Sequence, residues 1–164
     1  MKKSRRSFVK TLSVGTAGTL VLGSAACTSE MRKHNRQVSK VLWPSDRLNV
    51  AVVGITHRGY SNIRALKDQA VNIVALCDVD WGESAQKVFA EFPDAKQYKD
   101  FRRMLDKEKH IDAVVVATPD HAHGIVASMA IQLGKHVYCE KPLAHSIYET
   151  RLVTNLAQEY GVQT

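Results

Sequence analysis

From position 47 onward, short apolar runs alternate with longer segments of helical spacing. The runs at 48–53, 72–77, 95–98, 112–117 and 135–139 predict strands. The segments 59–67, 82–92, 100–105, 121–133 and 146–160 predict helices. Pro93 stops the second helix, and Gly134 and Gly161 follow the fourth and fifth. Asp100 is placed to cap the third helix, and Asp120 the fourth. Ser146 and Glu149 have the spacing of a capping box. The strand segments are apolar at consecutive positions, so both faces of the sheet are covered. The expectation is an α/β fold, a doubly wound parallel sheet with helices on both sides. Residues 162–164 would start a sixth strand too short to make a good edge, which suggests a continuing chain.

Before position 47 the pattern changes. Residues 1–10 are basic, 8–26 are mildly apolar and rich in small residues, and Ser24-Ala25-Ala26 offers a cleavage site. That order predicts an export signal over 1–27. The paired Arg5-Arg6, with Phe8 and Lys10, resembles a twin-arginine signal read by the corresponding export machinery. Val9 and Ser24 are the soft points of the match. Cys27 after the small residues raises a lipid anchor as an alternative to simple release, so the membrane is reached only through the signal or that anchor. Residues 28–46 are polar and mixed and predict a linker, with the domain over 47–164. An exported, periplasmic location follows.

The signal changes how the net charge of +7 is understood. Residues 1–40 hold nine Lys/Arg against one acid, and the rest hold fourteen against fifteen. The basic excess belongs to the leader. A nearly neutral domain lacks the basic face that nucleic acid requires. Cys77 and Cys139 fall near strand ends and predict small buried thiols rather than a disulfide framework. No Cys/His spacing reads as a metal site, so no metal is expected.

Three loops carry the candidate chemistry. The first strand runs into Gly54-Ile55-Thr56-His57-Arg58-Gly59 and then a helix. Such a turn lets bare backbone and a helix N-terminus approach a pyrophosphate. Gly54 and Gly59 hold the outer glycine positions, Thr56 takes the middle one, and Arg58 either touches phosphate or is exposed. Asp78 ends the second strand, where a carboxylate accepts from a ribose diol and repels a 2′-phosphate. NAD is therefore favoured over NADP. After the fourth strand, Thr118, Pro119, His121 and His123 lie near the topological switch point and are assigned to the nicotinamide half of the cofactor, with capping and packing as the alternative. Glu140-Lys141-Pro142 closes the fifth strand. Lys141 is expected to be partly desolvated there, to bond a substrate oxygen, and to offset charge during hydride movement or serve in proton transfer. Glu140 is expected to orient it.

The ordered set of glycine turn, Ala75-Leu76-Cys77-Asp78, Ala117-Thr118-Pro119-Asp120-His121 and Glu140-Lys141-Pro142 resembles the N-terminal domain of the Gfo/Idh/MocA oxidoreductases over 47–164. That resemblance implies a Rossmann fold and a nicotinamide cofactor. It makes Lys141 the catalytic lysine, and Gly54, Gly59 and Asp78 cofactor residues. It also implies a second α+β substrate domain that this chain lacks, and a sugar, polyol or related polar substrate. A homo-oligomer is expected at full length, and the 164-residue chain alone is expected to be inactive. Because free NAD is scarce outside the cytoplasm, an exported member would carry the cofactor tightly bound and regenerate it in place. A glycosidase working by oxidation and elimination would satisfy the same constraint, but that branch often has Val where Lys141 stands. A truncated nucleotide-binding module without turnover is the non-enzymatic alternative.

Overall fold

The computed structural model describes residues 47–69 and 71–164. The predicted export signal, the predicted linker and Cys27 lie outside the described residues. Five strands, β1 (Leu48–Val53), β2 (Val71–Cys77), β3 (Lys96–Tyr98), β4 (Ala113–Val116) and β5 (His136–Cys139), form one sheet in the order β3-β2-β1-β4-β5. Every neighbouring pair is parallel. The helices α1 (Arg58–Lys67), α2 (Glu83–Glu91), α3 (Phe101–Lys107), α4 (Asp120–Gln132) and α5 (Ile147–Tyr160) fill the connections.

Successive strand side chains point to opposite faces, which divides the core in two. Val50, Val52, Leu76 and Val115 join Ile63 of α1 and Val88 and Phe89 of α2. Ala51, Val53, Ala75, Cys77, Val114 and Val116 join Met104 of α3, Val126 and Ile131 of α4, and Val153 and Leu156 of α5. Each fully buried Val, Leu, Ile or Phe contributes on the order of 1.5–3 kcal/mol.

The predicted stop signals hold in detail. The Asp100 carboxylate accepts from the Arg102 N–H at 2.9 Å, and Ser146 with Glu149 completes a reciprocal capping box. Gly134 and Gly161 take the left-handed conformation at φ 72° and 65°. The fourth helix differs. Pro119 is its N-cap, without a side-chain bond, and Asp120 is already its first residue. Asp120 therefore acts as a negative charge in the first turn rather than as a cap.

The sixth strand does not form. Val137 N–H donates to the Gln163 carbonyl at 2.9 Å, but the Gln163 N–H turns to His136 Nδ1 at 3.0 Å. One backbone bond therefore ties this segment to β5, and the sheet has five strands among the described residues.

Register places the site. Val53 aligns with Cys77 and with Val116, and Val116 aligns with Cys139. The next residues, Gly54, Asp78, Ala117 and Glu140, therefore leave the sheet side by side along its carboxyl edge. That edge is where doubly wound sheets hold ligands.

Candidate functional site

The glycine turn is fixed by backbone crowding. Gly54 has φ 82°, and a Cβ there would lie 2.5 Å from the Ala117 carbonyl oxygen. A Cβ on Gly59 would lie 1.8 Å from the Gly54 carbonyl oxygen. Both positions exclude any side chain. Thr56 does not face this limit: it is half-buried, outside the left-handed region, and its carbonyl accepts from the Gly59 N–H at 2.9 Å. The left-handed step falls one residue later, on exposed His57 at φ 47°. Position 57 was not among the sequence candidates, because a histidine gives no warning of a backbone that favours glycine.

Asp78 holds this turn. Its Oδ2 accepts from the Ile55 N–H at 2.9 Å and its Oδ1 from the Asp80 N–H at 3.1 Å. A carboxylate has about four lone-pair sites, so acceptor capacity remains for a diol. The α1 helix opens without a side-chain cap and without an acid in its first turn. Although the Gly59 N–H is taken by the Thr56 carbonyl, the helix start keeps its positive end toward an anion.

Across the edge lies a cavity of about 370 Å³ lined by Arg58, Ala117, Thr118, Asp120, His123, Glu140 and Lys141. It joins one residue of the glycine turn to both other candidate loops. Lys141 is exposed, not desolvated as its place at a strand end predicts. The Lys141–Pro142 peptide is cis. Glu140 is only 8 % exposed, and its side chain bonds residues of α1 rather than the Lys141 ammonium. Its Oε1 accepts from Asn62 Nδ2 and from Arg58 Nε, each at 2.9 Å. These bonds hold the carboxyl below the ordinary glutamate range, against the opposing effect of burial. Any orienting of Lys141 by Glu140 thus runs through the backbone. Arg58 commits one N–H to Glu140 while its side chain remains 66 % exposed, so the rest of the guanidinium still faces the cavity. Asn62 escaped the sequence reading, although it stands one helical turn after Arg58 on the same face.

After β4, Thr118 Oγ1 is buried and has no hydrogen-bond partner among the described residues. An orphaned hydroxyl of this kind fits a polar ligand group. Pro119 and His121 are exposed beside it. His123 is 1 % exposed, with both ring nitrogens against backbone carbonyls: Nε2 to Thr118 at 2.7 Å and Nδ1 to Pro142 at 2.6 Å. Its ring atoms are thus occupied within the protein and are not free to bond a cofactor. Cys77 is pushed up to about 12 by burial and the adjacent Asp78, and Cys139 to about 11 by burial and Glu140. Neither thiol is a nucleophile near neutral pH.

The residues fit a dinucleotide on observations of their own. The turn has no room for side chains at its two glycines, α1 opens without a side-chain cap, Asp78 keeps acceptor capacity, and the Thr118 hydroxyl lacks a partner. Known proteins agree. Residues 48–164 match the family model described as oxidoreductase family, NAD-binding Rossmann fold. Inositol 2-dehydrogenase of Salmonella paratyphi B is 30% identical over 116 residues, covering 70% of this chain and 34% of that protein. A glycosyl hydrolase family 109 protein of Shewanella pealeana is 29% identical over 172 residues, covering 96% of this chain and 38% of that protein. The crystal structure of the WlbA dehydrogenase from Bordetella pertussis, in complex with NADH and UDP-GlcNAcA, superposes with a TM-score of 0.65 at 28% identity, covering 71% of this chain and 35% of that one. The chain spans about a third of the length of these relatives. It belongs to the Gfo/Idh/MocA oxidoreductase family and carries that family's NAD-binding Rossmann domain.

Proposed function

We propose that the full-length protein is an NAD-dependent oxidoreductase acting on a sugar, polyol or related polar substrate, with Lys141 as its catalytic lysine. The observation that carries this reading is the shared cavity: Lys141, Glu140 and Thr118, whose buried hydroxyl has no partner among the described residues, line the same space as Arg58 of the glycine turn. Bound NAD supplies a site that takes up and returns a hydride. The chain's own residues do the rest. The backbone of 54–59 and the start of α1 hold the phosphates, and Asp78 accepts from the ribose diol and disfavours a 2′-phosphate. Thr118, Pro119 and His121 border the nicotinamide half. Lys141 would bond the substrate oxygen, take up the hydroxyl proton as the carbon gives up hydride to NAD, and in the reverse direction return that proton to the oxygen on which negative charge develops as the carbonyl carbon accepts hydride.

Export through a twin-arginine signal over 1–27, with a tightly held cofactor regenerated in place, completes the proposal. The Arg5-Arg6 pair and the small residues before Cys27 support it. A second reading, glycoside cleavage through oxidation and elimination, draws support from the Shewanella pealeana similarity over 96% of this chain. Lys141 favours the oxidoreductase.

The test uses the full-length protein. Denaturation should release close to one nicotinamide per chain, and Lys141→Met should lower kcat about 10²–10⁴-fold with NAD still bound. Protein purified empty, or a Lys141→Met variant as fast as the parent, would overturn the assignment.

A further inference from the structure

The exposed Lys141 side chain is not itself held, but its two chain neighbours are. Glu140 is tied to α1 through Asn62 and Arg58. Pro142 gives its carbonyl to His123 Nδ1, and the same ring's Nε2 meets the Thr118 carbonyl. Leu143 adds a weaker tie, accepting from Cys139 Sγ at 3.7 Å. His123 therefore bridges the loop after β5 to the turn after β4, from a position that solvent barely reaches.

Both partners of the ring are carbonyl oxygens, which only accept. Whichever tautomer the ring takes, its N–H donates to one of these carbonyls while the other nitrogen lies against the second. We infer that His123 is a positioning residue for Lys141: its buried ring, set between the Pro142 and Thr118 carbonyls, fixes the lysine loop against the turn after β4. The inference rests on the proposed role of Lys141 for its catalytic consequence, but not for the tie itself. Placement matters because an error of about 1 Å at a reacting group can cost about 10²-fold in rate.

Two variants separate the prongs in the full-length protein. The amide nitrogen of His123→Asn stands near Nδ1 and keeps the Pro142 bond. That of His123→Gln stands near Nε2 and keeps the Thr118 bond. His123→Gln should lower kcat about 10–100-fold with KM and NAD affinity nearly unchanged, while His123→Asn restores much of the rate. Hydrogen exchange at residues 140–144 should quicken in the Gln variant and much less in the Asn variant. Equal exchange and equal rates in the two variants would overturn the inference. The exchange reading needs no turnover, so if no substrate is turned over the oxidoreductase reading fails while exchange still decides the tie. If neither variant folds, exchange in the parent decides it: residues 140–144 protected like a strand support the tie, and exchange as fast as in an exposed loop overturns it.

Discussion

The two ends of the site are built by opposite means. At the end of β1 the turn is shaped by backbone crowding: two glycines stand where a Cβ would meet carbonyl groups. At the end of β5 the loop is held by side chains that reach across the fold, from α1 to Glu140 and from α4 to Pro142. The first construction is all-or-none, because atoms at 1.8 Å cannot share space. The second is graded, because each polar tie is worth about 0.5–3 kcal/mol and can be removed singly. A binding turn needs one shape for one kind of ligand, whereas a loop that presents a reacting group can be adjusted tie by tie.

The sharpest way to break this contrast is Gly59→Ala. Its methyl group should cost more than about 4 kcal/mol or displace the turn outright, so thermal unfolding and NAD titration should both show large losses. If the variant binds NAD normally, the turn is not set by crowding. Next in size is Glu140→Ala, which removes two charge-assisted bonds at once. A loss of about 2 kcal/mol or more in stability, with kcat falling further than NAD affinity, is expected from unfolding curves and steady-state kinetics.

Acid sharpens the same point without mutation. Asn62 and Arg58 hold the Glu140 carboxyl below its unfolded value. A group depressed on folding stabilises above its unfolded pKa, about 4.3, and loses that contribution as pH falls through the folded value. Stability from this tie should be flat from pH 6 to 8 and decline below about 4, and Glu140→Gln should flatten the acid limb of the unfolding profile. The smallest effect is expected at the turn's tip. His57→Gly relieves a left-handed residue and should raise stability by about 1 kcal/mol, read as a rise of a few degrees in the unfolding midpoint. A fall would mean that the His57 side chain contributes more than its backbone costs.

The same division governed what the sequence could reveal. Elements were legible because consecutive apolar residues at 48–53 or 112–117 admit few readings, and Pro93, Gly134 and Gly161 end helices for local reasons. The glycine turn was legible for the same cause, since its signal lies within six residues. The loop after β5 was legible in identity and not in wiring. Nothing near Glu140 announces that its partners are Arg58 and Asn62, or that His123 closes on Pro142. Partial desolvation of Lys141 is expected from its place at a strand end facing the crevice, yet β5 is an edge strand among the described residues and its end is open. The bond from the Gln163 N–H to the His136 ring was equally unreadable in sequence.

The bond from Arg58 to Glu140 joins positions 82 apart along the chain. Closing so wide a loop loses entropy before the contact returns any energy, and that loss grows only slowly with length. The contact therefore requires the outermost strand to have docked beside its neighbour. The glycine turn does not wait for it, because Asp78 and Ala117, which hold and crowd that turn, both precede β5 in the chain.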